Sequence, residues 1–106
     1  MISKMIGLIG LSQRAGKLRS GEFAVEKSVK EGKSKLVIVS GDASENTRKK
    51  FRDMCTFRHI PYAEYGTMAE LGRAAGRSER SSLSIEDEGF AEQMKKYLNG
   101  GSANVE

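Results

Sequence analysis

Several segments of this 106-residue chain carry the residue types that chemistry uses. Gly10 to Lys17, Gly-Leu-Ser-Gln-Arg-Ala-Gly-Lys, suggests a nucleotide-binding loop. Such a loop needs four residues between its glycines and a Ser or Thr after the Lys to ligate magnesium, whereas here five intervene and Leu18 follows. The segment also closes an apolar helical pattern, while a phosphate loop must open a helix so that N–H groups and the dipole face the anion. A glycine helix stop explains it. Cys55 and His59 are the chain's one thiol and one imidazole. They sit four apart on an expected helix, but Cys55 falls on the apolar stripe beside Phe51, where a thiol is inert. Nothing is left to complete a metal site or to orient a base. Glu86, Asp87 and Glu88 cluster at an expected helix start, where the dipole accounts for them. The expectation is a non-catalytic protein with no metal, cofactor or small-molecule substrate.

The segment from Lys17 to Lys35 resists such dismissal. Lys17 and Arg19 precede Gly21, whose missing side chain would let another backbone approach the start of a helix, and that start presents unpaired N–H groups. Phe23 and Lys27, four residues apart, share one helix face and offer an aromatic ring and a cation near the positive end of the dipole. This pairing suits a phosphate and a stacked, unpaired base. The competing reading of Phe23 is a core residue packed on Val29 or a sheet.

The elements that must position these residues alternate along the chain. Ile2, Met5, Ile6 and Ile9 predict a first helix over residues 2–14, stopped by Gly16. Leu18 and Arg19 form a short extended piece, and a second helix starts at Ser20 or Gly21 and runs through Glu31 to a stop at Gly32. Leu36 to Val39 reads as a strand buried on both faces. Ser44 caps a third helix to about Arg58, with Phe51, Met54 and Cys55 on its inner stripe and Arg48, Lys49 and Arg52 outside it. Pro61 forces an extended segment, so Tyr62 to Tyr65 is a strand. Thr67 and Glu70 form a capping box for a helix ending near Gly76. Leu83 and Ile85 alternate with polar neighbours as a last strand, and Asp87 caps a final helix whose apolar face is Phe90, Met94, Tyr97 and Leu98. This order predicts an α/β fold: a single-domain three-layer α-β-α sandwich, with about four strands between helices on both faces, spanning residues 1–98. Residues 99–106 are expected to be a flexible tail.

Composition narrows the class further. One cysteine cannot make an internal bridge, and no apolar run reaches the roughly 18 residues of a membrane span, so a soluble cytoplasmic protein with no membrane partner is expected. The net charge of +4 is unevenly placed: residues 1–60 hold 13 Lys and Arg against 6 Asp and Glu, whereas residues 61–106 hold 5 against 8. A localised basic excess points to a polyanionic partner or to a solubilising surface.

The order Leu-Arg-Ser-Gly, then Lys30 to Val39 (Lys-Glu-Gly-Lys-Ser-Lys-Leu-Val-Ile-Val), Gly41-Asp42-Ala43-Ser44, Ile60-Pro61-Tyr62 and Glu70 to Gly76 (Glu-Leu-Gly-Arg-Ala-Ala-Gly) resembles the L-seven-Ae ribosomal protein family over about Met1 to Leu98. The opening Ser12 to Gly21 is most similar to its short bacterial YlxQ-like branch. The resemblance implies an alternating helix–strand sandwich that binds kink-turn RNA through a helix start and a second loop. The family motif runs Gly, any residue, Asn, Glu, two residues, Lys. Here Gly21 and Lys27 match it, while Phe23 and Ala24 replace the Asn and Glu that would reach base edges. Glu22 would substitute only if the helix start were shifted by one residue. The second loop maps on Arg77, Ser78, Glu79, Arg80 and Ser81, whose two arginines suggest backbone contact; a solvated surface turn is the alternative.

The expected function is therefore a cytoplasmic RNA-binding protein, associated with the ribosome or with a structured noncoding RNA. Its expected contacts are Lys17, Arg19, Gly21, Glu22, Phe23, Lys27, Arg77, Ser78, Arg80 and Ser81. The alternative is a protein–protein interaction module of the same fold, docking through the acidic last helix or the Arg48 to Arg52 face.

Overall fold

The computed structural model describes residues 3–100. The elements follow in the order α1 (Lys4–Arg14), β1 (Leu18–Ser20), α2 (Glu22–Lys30), β2 (Leu36–Val39), α3 (Glu45–Arg58), β3 (Tyr62–Glu64), α4 (Met68–Ala74), β4 (Ser82–Ile85) and α5 (Glu88–Gly100). The expected caps act where their chemistry indicates: Ser44 Oγ accepts from the Thr47 amide, and Thr67 with Glu70 closes a reciprocal capping box. Asp87 accepts from the Phe90 amide at the start of α5. Ser3, not seen from sequence, caps α1 by accepting from the Ile6 amide, so that helix begins at Lys4. The sequence boundary at residue 99 falls inside α5, which continues through Asn99 and Gly100; the rest of the expected tail lies outside the described residues.

The four strands order as β1-β4-β2-β3, with β4 antiparallel to both β1 and β2, and β2 parallel to β3. Strand β2 alternates its side chains between two cores. Leu36 and Ile38 join Met5, Ile9, Leu71, Leu83, Ile85 and Met94 under α1, α4 and α5. Val37 and Val39 join Val25, Val29, Phe51 and Cys55 under α2 and α3. A strand covered on both faces must be apolar throughout, which Leu36–Val39 is. This is the expected three-layer sandwich.

Two particulars depart from the sequence expectation, in β4 and α5, and a third decides between its two readings of Phe23. Strand β4 is buried on both faces although it alternates Leu and Ile with Ser, because Ser84 finds hydroxyl partners in Ser28 and Ser34. Phe23 is not core. Tyr97 keeps 42% of its surface exposed, so the buried stripe of α5 is narrower than its apolar pattern. No helix among the described residues is long and apolar enough to cross a membrane.

Candidate nucleic-acid interface

Gly21 forms the entrance to α2. It sits at φ 97°, ψ 151°, a conformation closed to L side chains, and its N–H donates to the Ser82 carbonyl at 3.0 Å. With no side chain it gives α2 no side-chain cap, so the first-turn amides keep their donor capacity and the dipole its positive end. Glu22 is directed instead to Lys50 of α3, its carboxylate 3.2 Å from the ammonium. The next residue, Phe23, is 82% exposed. Core packing would have hidden the ring.

Behind this start lies the second loop. Arg80 comes so close to Gly21 that a Cβ there would rest 3.8 Å from its Cδ and Nε. The two segments flank a groove of about 480 Å³, with Glu22, Phe23 and Ala24 on one wall and Glu79, Arg80 and Ser81 on the other. The loop is anchored from below. Arg77 N–H donates to the Gly72 carbonyl at 2.8 Å, and Arg80 N–H to the Met68 carbonyl at 3.1 Å. Arg80 is further bent by bonds to Ser78 Oγ and the Glu79 carbonyl, at 3.1 and 2.9 Å. Ser81 offers its carbonyl to the Ser40 amide. Loop and helix start thus form one surface although about 55 residues apart in sequence.

A buried polar chain supports the same surface from inside the sheet. Ser84 Oγ donates to Ser34 Oγ at 2.7 Å and lies 2.8 Å from Ser28 Oγ, which is also 2.7 Å from Glu86 Oε2. The other oxygen of Glu86 is 3.4 Å from the Arg19 guanidinium, which additionally donates to the Leu18 carbonyl. Arg19, Phe23, Ala24, Lys27 and Glu86 line a second groove that shares its Phe23 wall with the first. Gly16, Arg19, Ala24, Arg77 and Arg80 line a third. Ala24, where a longer side chain would stand between them, borders all three grooves. Lys17 is exposed at the turn before β1 and bonds the sheet only through its backbone.

The dipole explanation of Glu86 gives way to its bonds with Arg19 and Ser28, and the serine chain and the close approach at Gly72 were missed from sequence. A glycine in the middle of α4 was the available signal for a close backbone approach. The serines carried none, because alternation with Leu83 and Ile85 looks identical whether the polar face is wet or covered. The other singled-out residues stand apart from this surface. Cys55 is buried and desolvation pushes its thiol up to about 11. His59 terminates α3 in the left-handed conformation, off the helical face that was to bring it to Cys55. The Arg48 to Arg52 face is internally compensated: both arginines lie within 4.0 Å of carboxylate oxygens of Glu45 and Glu64, and Lys49 of Asp53.

The chain as a whole is similar to several known proteins. A family model described as the ribosomal protein L7Ae/L30e/S12e/Gadd45 family matches residues 3–95. The RNA-binding protein YlxQ of Bacillus subtilis is 39% identical over 92 residues, 87% of this chain and 92% of that one. The large ribosomal subunit protein eL8 of Thermoplasma acidophilum is 32% identical over 90% of this chain and 79% of its own. A Bacillus halodurans protein of unknown function superposes with a TM-score of 0.88 at 38% identity, covering 92% of this chain and 98% of that one. The Giardia lamblia 15.5kD RNA binding protein shares the fold, at a TM-score of 0.78 and 20% identity, over 92% of this chain and 90% of its own.

Proposed function

This chain belongs to the ribosomal protein L7Ae/L30e/S12e/Gadd45 family, and from that premise we propose that it is a non-catalytic RNA-binding protein that recognises sharply bent RNA of the kink-turn kind, on the ribosome or on another structured RNA. The names of its relatives, an RNA-binding protein and ribosomal subunit proteins, support the broad class. The observation that carries the finer reading is Phe23: a ring 82% exposed on the uncapped first turn of α2, with Arg19 and Lys27 sharing its groove.

In this reading the RNA backbone approaches Gly21, where no side chain obstructs it. Arg19 and Lys27 neutralise phosphates, and Lys17 does so from the edge. Phe23 stacks on an unpaired base, worth about 1–3 kcal/mol. The loop with Arg77, Ser78, Arg80 and Ser81 closes over the bend. Glu22 borders the groove between Phe23 and Arg80, while its carboxylate pairs with Lys50. Stacking serves where the family pattern has an amide and a carboxylate for base edges, so recognition rests on shape and on an unstacked base rather than on sequence.

Binding titrations of a kink-turn duplex and a straight duplex at several salt concentrations test the proposal. The kink-turn is expected to bind tighter, with affinity falling steeply as salt rises and a shallower slope for Lys27→Ala. Equal affinity for both duplexes would refute the kink-turn reading. Partners captured from lysate are expected to vanish on RNase treatment; a protein partner that survives it would favour the interaction-module alternative.

A further inference from the structure

Two exposed phenylalanines dominate the surface: Phe23 at 82% and Phe57 at 78%. The second is in the last turn of α3, with no place in the interface above. Helices α2 and α3 lie side by side and point the same way. Lys50 pairs with Glu22 and Glu26 near the beginning of α2, while Gly32, just past its end, shares a groove with His59 at the end of α3. Phe23 and Phe57 therefore mark opposite ends of one helical layer.

The groove at the far end, about 450 Å³, is lined by Gly32, Lys35, Arg58, His59 and Lys95, with Glu88 as its one acidic member. Among the described residues, neither Lys35 nor Arg58 has a carboxylate within ion-pair distance, and the Arg58 guanidinium lies 5.9 Å from the centre of the Phe57 ring. The dipoles at two helix ends attract cations and account for part of this charge. They do not account for the exposed ring of Phe57, which adjoins the groove through Arg58.

His59 is a second, independent oddity. Among the described residues, the positive-φ positions are Gly16, Gly21, Gly32, Gly66 and Gly76, and one that is not glycine, His59 at φ 60°. A helix end of this kind is best served by glycine, and a side chain there is strained. His59 is held in this conformation through its backbone and lines the basic groove.

We propose that this end of the molecule is a second RNA-strand site, with Phe57 stacking on a base and Arg58, Lys35 and His59 holding the adjoining phosphates. The proposal rests on the RNA-binding reading above and extends it: one RNA is bound at the start of α2 by its bend and at the far end by a single-stranded extension. An aromatic platform with unpaired cations is the combination that unpaired strands bind without sequence preference. The two sites lie apart by about the length of α2, roughly 15 Å, so a strand leaving the first reaches the second within a few nucleotides.

The test compares a kink-turn hairpin with the same hairpin carrying an oligouridylate extension. The extended RNA is expected to bind about fivefold tighter or better. The double variant Phe57→Ala with Arg58→Gln should erase that gain while leaving the unextended hairpin within about twofold; Lys96→Gln, an equal charge change, should preserve it. Equal binding of both RNAs to the unaltered protein, or equal losses on both in the double variant, would overturn the second site. Amide NMR shifts on addition of oligouridylate alone separate the two proposals. Shifts at residues 57–60 and Lys35 support the second site even if the hairpin is not bound; silence there rejects it while leaving a kink-turn-specific result standing.

Discussion

A Cβ placed on Gly72 would lie 1.9 Å from the carbonyl oxygen of Ser78, so the second loop rests directly on the backbone of α4. Replacing a mid-helix glycine with alanine ordinarily stabilises by about 1 kcal/mol. Here the sign reverses, because the clash is with backbone that cannot rotate away, and overpacking of this kind costs about 1–3 kcal/mol. Gly72→Ala is expected to lower the melting temperature and to weaken kink-turn binding by displacing Arg80 from the Gly21 corner. Thermal melts followed by circular dichroism check this; a higher melting temperature would show that the loop yields freely.

Phe23 separates binding from stability, since its ring is almost wholly in water. Phe23→Ala should leave stability within about 0.5 kcal/mol. It should weaken RNA binding by about 1–3 kcal/mol, with Phe23→Tyr retaining most of the affinity because it keeps the stacking face. Denaturant melts and anisotropy titrations on the same preparations give both numbers.

Arg19 is tied to the sheet by Glu86, a carboxylate only 11% exposed that Ser28 also contacts. The pair has one well-exposed partner, so it is worth about 0–1 kcal/mol. Glu86→Gln is expected to cost little stability. By releasing the guanidinium and removing a nearby negative charge, it should raise affinity for a straight duplex and lower the ratio of kink-turn to straight binding. An unchanged ratio would mean that the tether does not shape selectivity.

Acid should loosen the contact between α2 and α3. Glu26 lies 2.8 Å from the Lys30 ammonium and 2.7 Å from that of Lys50, and these two bonds hold its carboxyl down from 4.5 to about 2. A depressed carboxylate stabilises the fold fully above its ordinary range, and that stability fades as pH falls from about 4.5 towards 2. Glu26→Gln should be less stable than the parent at pH 7, with the difference shrinking through this window. Urea melts at several pH values measure it.

Cys55 offers a readout of unfolding. Buried among Phe51, Val25 and Val29, its thiol is pushed up to about 11 and presents almost no thiolate at pH 8. Iodoacetamide should therefore leave the native protein unmodified at that pH and alkylate it fully in denaturant. Rapid native labelling, followed by mass spectrometry, would show that α3 opens readily.

What the sequence determined by itself was local. Glycine stops, Ser44 and Thr67 caps, the apolar run of β2 and the Phe51–Cys55 stripe follow from backbone sterics and short-range periodicity, and they suffice to fix the order of elements and the sandwich. The fate of an individual side chain was not local. Phe23 has the same sequence environment whether it packs on the sheet or faces water; the α2 axis decided for water, and no element among the described residues covers the ring. Glu86 and Ser84 look like surface polar residues until Ser28 and Ser34 arrive from α2 and the following turn to satisfy them. The approach of Arg80 to Gly21 depends on β1 and β4 being neighbours and on Gly72 letting the loop sit low. Such contacts join distant segments, and they are set by the way the sheet and its helices close around one another, which no window of sequence encodes.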